Sequence, residues 1–280
     1  MKYILCCVDG KNYSEAVCDY AVMSANNMKL PIKILNVVEH KHTSEILDLS
    51  GNIKLGEKDD ILEALTQEEA IESKSSIKAG RELLLTLKMR ASASCNHEIL
   101  TSLVHGDIIE NIIESQDEIE VLVIGINSNK EQLIGTNVKD IIKSIHKPVL
   151  LVNNEFISPR KILIAYNGST ESKKLLTSTA NNPIFTKEIH RDIVNLNTNK
   201  QSSSLLLKEA KEIFAKNDIM VNTESLEGES EDLIVEYFAK NESDILAMGA
   251  FGHSWIKELV FGSFTSKILS KMKKPILLFR

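Results

Sequence analysis

Three glycines and one hydroxyl stand at fixed spacing near the end of the chain. Gly249 and Gly252 follow an apolar run, and Gly262 and Ser263 come just before a helical stretch. Glycine lets the backbone approach a ligand without a Cβ, and a helix N-terminus offers unpaired N–H groups with partial positive charge. This pattern is typical of a phosphate-binding loop. A glycine turn followed by an ordinary serine cap would leave the same residues.

The chain repeats itself at about half its length. Three segments of the first half match three of the second in the same order: 3–10 with 161–168, 121–125 with 245–249, and 146–152 with 273–279. This repeat predicts a duplicated domain, with one unit over 1–153 and the other over 160–280. The polar stretch 153–159, which ends in proline, is the predicted linker.

Each half alternates apolar, strand-like runs with helical stretches. The predicted strands lie near 2–9, 32–39, 98–105, 121–126, 148–153, 161–167, 188–196, 219–226, 245–250 and 275–280. The predicted helices lie near 14–29, 66–93, 108–116, 138–146, 170–180, 202–216, 231–240 and 264–272. The pattern predicts an α/β protein of two tandem doubly wound domains, each a five-stranded parallel sheet with helices on both faces. Ligands of such sheets bind beyond the carboxyl ends of the strands, here between strands 1 and 4, where the glycine pattern begins.

Other reactive residues carry weaker signals. We expect residues 40–62 to form a surface insertion, in which His40 and His42 either bind a metal or are solvated. No further ligands accompany them, so no metal site is predicted. The cysteines are Cys6, Cys7, Cys18 and Cys95, none in a CxxC pair, and we expect reduced, buried thiols. Cys6 and Cys7 are neighbours on a strand and should face opposite sides of the sheet.

Composition narrows the class of protein. A net charge of −6 over 280 residues argues against a broad nucleic-acid surface, which needs clustered Lys and Arg. The N-terminal apolar run is interrupted by Asp9, and no stretch approaches the roughly 20 apolar residues that span a bilayer. We therefore expect a cytoplasmic protein without a membrane partner.

The spacing G-x2-G-x9-G-[ST], the strand-1 ends VDG and YNG, and the closing strands after Lys-Pro resemble the universal stress proteins over nearly the whole chain. The resemblance implies a Rossmann-like fold of the adenine nucleotide alpha hydrolase-like kind that binds ATP or AMP, with Mg²⁺ an option for ATP. Adenine would lie at the ends of strands 1 and 2, and the glycine loop would wrap the ribose and phosphates. The implied contact residues are Ala165, Tyr166, Asn167, Leu196, Met248, Gly249, Gly252, His253, Gly262, Ser263 and Phe264. The family usually has an acid at the position of Asn167, which weakens the case for a metal-assisted contact there.

The first half departs from this pattern. Ser128 stands where the second glycine would be, and the stretch from Gly125 to Pro148 is three residues shorter than its counterpart, Gly249 to Pro275. A shorter loop cannot follow the same path around a triphosphate. We therefore expect one competent site, in the second half, and a first half that serves as partner or regulator. Asp9 is retained, so a different or weaker ligand stays open for the first half.

Two classes of function remain open. The sequence has neither a Walker A motif nor G-x-G-x-x-G, which argues against a P-loop NTPase or a dinucleotide dehydrogenase. His253 and Lys257 could supply charge for hydrolysis or could simply be solvated, so we expect slow ATP hydrolysis at most. The first function is an ATP- or AMP-responsive stress regulator. The second is a nucleotide-independent scaffold that works through the apolar fifth strands. The resemblance to the family also implies that the two halves pair as a pseudo-dimer, with a homodimer of whole chains as an option.

Overall fold

The computed structural model describes residues 1–38, 57–126, 136–181, 184–249 and 263–280, with the backbone alone at 57–73, 136–137 and 263. Several sequence predictions fall outside the described residues. These are His40, His42, Ser128, Gly252, His253, Lys257 and Gly262.

Strands and helices alternate along both halves. The first half contains β1 (Tyr3–Val8), α1 (Ser14–Met28), β2 (Ile32–Val38), α2 (Glu57–Ser92), β3 (Ile99–His105), α3 (Ile108–Glu114), β4 (Ile119–Gly125), α4 (Thr136–Ser144) and β5 (Val149–Val152). The second half contains β6 (Lys161–Ala165), α5 (Thr170–Asn181), β7 (His190–Leu196), α6 (Lys200–Ala215), β8 (Asn222–Leu226), α7 (Glu231–Lys240), β9 (Ile245–Gly249), α8 (Ser263–Lys271) and β10 (Ile276–Phe279). The predicted fold class is confirmed.

One predicted boundary is wrong by a wide margin. Helix α2 begins at Glu57, whereas the sequence predicted a helix from 66 and assigned 57–62 to a surface insertion. The stretch holds many charges, which favoured a loop. Residues 57–72 contain neither glycine nor proline, and nine of these 16 residues are Glu, Leu or Ala, which are strong helix formers.

The strand order places a switch point in each half. Strand β1 lies between β2 and β4, and β6 lies between β7 and β9, with all of these neighbours parallel. Buried side chains form one apolar cluster on each face of the sheet. In each half, the chain leaves the first strand (β1 or β6) toward one side of the sheet and the fourth strand (β4 or β9) toward the other. A crevice therefore opens between the carboxyl ends of these two strands. The predicted flanking by strands 1 and 4 is therefore present in both halves.

The two halves join through their last strands. Strands β5 and β10 pair antiparallel and merge the halves into one ten-stranded sheet, whose edges are β3 and β8. The apolar fifth strands, β5 and β10, thus hydrogen-bond to each other within the chain, so neither of them is an edge strand. Because the pair is antiparallel, the carboxyl edge of one half lies beside the amino edge of the other. The two crevices therefore open on opposite edges of the sheet.

The segment 153–159 contains neither helix nor strand and is fastened to both halves. The Tyr20 and Phe156 rings meet edge to face at 4.8 Å, and the Tyr20 hydroxyl lies 3.4 Å from both backbone polar atoms of Ile157. The Asn153 side chain donates to the Met272 carbonyl at 2.9 Å. These contacts limit independent motion of the halves, while the predicted domain boundaries stay a prediction.

All four cysteines are free, and three of them are buried. Cys6 and Cys7 belong to the apolar clusters on opposite faces of the sheet, as the sequence predicted. Burial raises the pKa of the Cys7 thiol to about 12, so this thiol is protonated at neutral pH.

Candidate functional site

An apolar floor lies at the carboxyl edge of the second half. Ala165 ends β6 and pairs in register with Met248 of β9. Ala165, Leu196 and Phe264 are partly exposed and pack on the apolar cluster that contains Met248. Leu226, at the end of β8, belongs to the same group, although the sequence analysis did not select it. The feature that could have identified Leu226 from the sequence is its position at the carboxyl end of the strand next to β7.

A tight turn follows β6 and leads into α5. Gly168 has a φ of +79°, in the left-handed region that favours glycine. The Asn167 Oδ1 accepts from the Ser169 backbone N–H at 3.0 Å, and the Ser169 Oγ accepts from the Ser172 N–H at 3.2 Å. Asn167 is exposed, and its amide nitrogen has no described hydrogen-bond partner. The side chain can therefore donate to a ligand without losing its turn bond.

Tyr166 is turned away from the apolar floor. Its ring is buried in the cluster on the other face, and its hydroxyl donates to Glu209 at 2.8 Å. Burial and Glu209 together raise the pKa of the Tyr166 hydroxyl. The Tyr166 backbone is also occupied, since its N–H donates to Val194 and its carbonyl accepts from Asn195. The side chain thus supports α6 against the sheet.

Gly249 is required by packing. A Cβ at this position would lie 2.9 Å from the Ser172 backbone nitrogen and 3.1 Å from the Glu171 Cβ. Such distances cannot be relieved by a side-chain rotation, because the nearest neighbour is backbone. Absence of a side chain at Gly249 lets the N-terminal turn of α5 approach β9 at the crevice. A Cβ at Gly125, its counterpart, would make only ordinary contacts with the described residues, 3.4 Å from Val17 and 4.0 Å from the Val152 carbonyl.

Helix α8 begins at Ser263, directly after the predicted glycine loop, and is clamped to α7. The Lys271 Nζ lies 2.9 Å from Glu231 and 2.6 Å from Asp232, and Lys267 lies 3.5 Å from Glu231. The hydrogen bond from Lys271, with help from the Glu231 backbone and Lys267, lowers the pKa of Glu231 to about 2. This clamp fixes the helix whose N-terminus faces the crevice edge.

The described candidate residues fall into two groups. One group shares the carboxyl edge of the second half: Ala165, Asn167, Leu196, Met248, Gly249, Ser263 and Phe264. The other group is Tyr166 alone, whose side chain lies on the opposite face of the sheet. The ligand-binding roles of all these residues stay predictions.

The first half has a cleft of about 650 Å³ at its own switch point. Asp9 lies at its mouth, where its carboxylate accepts from the Lys11 N–H at 2.9 Å. One wall comes from α2, through Ser76, Ala79, Gly80 and Leu83. A Cβ at Gly80 would lie 2.6 Å from the Asn36 Oδ1, so this helix presses closely on β2. The sequence placed these residues on a predicted helix over 66–93, but it did not predict that this helix would line a cleft.

The described residues hold neither a cluster of three or more potential metal ligands nor a helix apolar enough to cross a bilayer. The switch-point crevices and the joined parallel sheets define a tandem α/β protein of the doubly wound class. The family model for the universal stress protein family matches residues 1–153 and 189–280. The chain belongs to the universal stress protein family.

Relatives resemble the chain over its full length. Universal stress protein Slr1230 of Synechocystis sp. is 29% identical over 288 aligned positions, covering 100% of both proteins. A universal stress protein structure from Archaeoglobus fulgidus superposes with a TM-score of 0.72 at 15% identity, covering 99% of this chain and 98% of that one. A putative universal stress protein from Pseudomonas aeruginosa superposes with a TM-score of 0.63 at 13% identity, covering 100% and 93%. The structural matches support the shared fold.

Proposed function

We propose that this protein binds ATP or AMP in its second half and acts as a nucleotide-responsive stress regulator in the cytoplasm. The proposal depends on one observation. Strand β9 ends at Gly249 and α8 begins at Ser263, so residues 250–262, which include Gly252 and Gly262, connect the switch point to a helix N-terminus. Backbone N–H groups at such a terminus favour phosphate.

The side chains around this connection fit the other parts of the nucleotide. The apolar floor of Ala165, Leu196 and Phe264 suits a flat base. The amide nitrogen of Asn167, which has no hydrogen-bond partner among the described residues, suits a ribose or base oxygen. The Asn167 oxygen already accepts from Ser169. We therefore expect any Mg²⁺ to arrive on the phosphates of ATP, with Asn167 contributing no ligand.

We propose that the protein binds the nucleotide without hydrolysing ATP rapidly. Phosphoryl transfer needs a positioned water and charge stabilisation at the γ-phosphate, and the sequence offers only His253 and Lys257 within the loop. We expect a bound nucleotide to order the loop and to change the surface that the protein presents to partners. The first half, whose loop is shorter and has Ser128 for glycine, would support this response without binding the same nucleotide.

The single tryptophan, Trp255, provides the test because it lies between Gly252 and Gly262 in the sequence. Titration with ATP or AMP should change its fluorescence, and Gly252→Val should abolish the change by adding a branched side chain beside the phosphates. The matched control is Ser128→Val in the first half, which should respond like the wild type. A silent tryptophan together with no calorimetric heat would favour the scaffold function.

A further inference from the structure

Strand β3 is one of the two outer strands of the ten-stranded sheet, and within the described residues it pairs only with β2. The hydrogen bonds at its two ends show which backbone groups face outward. The Ile32 N–H donates to the Glu98 carbonyl at 2.9 Å, and the Gly106 N–H donates to the Val38 carbonyl at 3.3 Å. In a parallel pair every second residue bonds to a given neighbour. The even-numbered residues of β3 therefore turn their backbone groups toward β2.

The other backbone groups of β3 point away from the sheet. The N–H and C=O groups of Ile99, Thr101 and Leu103 have no hydrogen-bond partner among the described residues. We call this row of outward groups the β3 edge. From Ile99 to Val104 the strand has neither a charged residue nor a proline, and proteins use both to keep an outer strand from pairing. The β3 edge is therefore a template for a further strand.

The other outer strand, β8, is a poorer template. It has five residues against the seven of β3. The same alternation turns only the backbone groups of Thr223 and Ser225 outward within β8. Glu224 lies between them and Glu227 follows the strand, and both are exposed. A long, uncharged outer strand is thus particular to the first half.

Helix α2 lies beside the β3 edge on one face of the sheet. Its buried side faces β2 and β3, since a Cβ at Gly80 would lie 2.8 Å from the Leu103 side chain. The side of α2 toward α1 is marked by Arg90, which pairs with Glu15 and Asp19 of α1. Because α1 packs on β1 and β4, the opposite flank of α2 points outward past β3.

This outward flank of α2 is basic. Lys74, Arg81 and Lys88 are seven residues apart, which is close to two helical turns, so they form a line along the helix. All three side chains are exposed, and none forms an ion pair with the described residues. The described side chains of α2 include one acid, Glu82, whose carboxylate lies 3.9 Å from the Lys78 Nζ. Three cations therefore remain available to a ligand.

The line of cations and the β3 edge have similar lengths. The 14 helical steps from Lys74 to Lys88 span about 21 Å. The six steps along β3 span about 20 Å. A strand added to the β3 edge would turn every second side chain toward the face that α2 covers. Carboxylates at those positions would lie near the cations along the whole length of the strand.

The opposite face of the β3 edge has different chemistry. Leu100 lies on the face that carries Val104 and is 39% exposed. Glu98, which precedes the strand, is placed on the same face by strand alternation and is exposed. Apolar side chains would cover Leu100, whereas carboxylates would be repelled by Glu98. The two faces together select a segment in which acidic and apolar residues alternate.

We propose that the β3 edge binds an extended segment of another protein, in which acidic and apolar residues alternate. The backbone of the segment bonds to the outward groups of β3. Its carboxylates lie along the three cations of α2, and its apolar side chains cover Leu100. This binding requires no nucleotide, so it can fail while the proposed function stands, and the converse also holds.

Amide hydrogen exchange tests whether the edge is open. In the free protein the amides of Thr101 and Leu103 should exchange faster than those of Leu100 and Ser102, which bond to β2. A peptide in which glutamate alternates with valine should protect them. Outward amides that are already protected without peptide would overturn the proposal, because the edge is then covered. Protection that rises with protein concentration would assign the edge to a second copy and would also overturn it.

Fluorescence anisotropy of the labelled peptide measures its affinity. Thr101→Pro should raise Kd about tenfold, because the ring removes an outward donor and blocks close approach while the bonds to β2 stay. Two controls should bind like the wild type: Thr101→Val, which keeps the N–H, and Thr223→Pro, which makes the same change on β8. A wild type that does not bind the peptide, or a Thr101→Pro variant that binds it normally, would overturn the proposal.

A charge exchange keeps the test decisive if Thr101→Pro folds poorly. Arg81→Glu with Lys88→Glu should weaken binding of the glutamate peptide about tenfold and should favour a peptide with lysine at the same positions. Lys208→Glu with Lys211→Glu changes two exposed cations of α6 and is the matched control, for which binding should not change. Equal affinity of the α2 variant and the wild type for the glutamate peptide would overturn the proposal.

Discussion

The two halves share one frame and differ in what they place around it. Strands β1 and β6 occupy the same position, and Asn36 and Asn195 each donate to a carbonyl at the end of these strands, at 2.8 and 2.7 Å. The differences lie at the amino edge and in the helices. Where the first half has the buried Ile32, the second has the buried Arg191. Duplication has thus preserved the groups that build the sheet, while the surroundings of the sheet have diverged.

Arg191 gives the largest expected effect. It is fully buried, forms no ion pair with the described residues, and donates to the carbonyls of Ile189, Thr186 and Phe185 at 2.6, 2.9 and 3.1 Å. These bonds hold the segment before β7. Arg191→Met should lower the free energy of unfolding by about 3 kcal/mol, because it leaves buried carbonyls unpaired. Urea denaturation would measure the loss.

The matched control for Arg191 is Ile32→Met, which replaces one apolar side chain with another of similar volume. It should cost less than about 1.5 kcal/mol. Equal losses in the two variants would show that Arg191 acts only as a space-filling side chain.

Substitution of the two equivalent glycines, Gly249 and Gly125, should change the free energy of unfolding by a smaller amount. Gly249→Ala places a Cβ 2.9 Å from the Ser172 backbone nitrogen and should destabilise the protein by about 2 kcal/mol. Gly125→Ala meets only ordinary contacts, so its effect should stay within about 1 kcal/mol. Thermal and urea unfolding of both variants would make the comparison. A harmless Gly249→Ala would contradict the close packing of α5 on β9.

The clamp between α7 and α8 gives a pH-dependent effect. The pKa of Glu231 is lowered to about 2 in the folded protein, chiefly by Lys271. A carboxylate with a lowered folded-state pKa stabilises the protein above its unfolded-state pKa, and this stabilisation is lost as the pH falls toward the folded value. The difference in urea midpoint between wild type and Glu231→Gln should therefore be present at pH 7 and shrink as the pH falls from about 5 to 3.

The first half again supplies the control for the clamp, because Ser144 stands where the second half has Lys271. Lys271→Ser should weaken the same pH dependence. A Glu231→Gln effect that is constant from pH 7 to pH 3 would show that the carboxylate acts through its shape alone.

Much of the fold could be predicted from the sequence, because buried parallel strands are short apolar runs. YILCCV at β1 and KILIA at β6 are examples. The start of α2 could not be predicted in this way, since a charged stretch without apolar periodicity fits both a loop and an exposed helix. Arg191 was also missed. A single arginine in a strand usually points to solvent, and the carbonyls that hold it come from a segment without regular structure.

The candidate site was partly predictable. Repeat and spacing placed Gly249 at the switch point, but they favoured a ligand contact, and only the distance to Ser172 shows that packing already requires glycine there. The face on which a side chain lies was the harder problem. Tyr166 and Asn167 are neighbours at the end of β6, yet the Tyr166 ring is buried on the opposite face and Asn167 is exposed. Strand alternation places Tyr166 on the face opposite Ala165, and its hydroxyl donates there to Glu209, 43 positions along the chain.

The central claim is that one half binds an adenine nucleotide and the other does not. Native mass spectrometry with excess ATP or AMP counts the nucleotides bound to each chain. We predict one nucleotide for the wild type, one for Ser128→Val and none for Gly252→Val. Two nucleotides on the wild type, or one retained by Gly252→Val, would contradict the account.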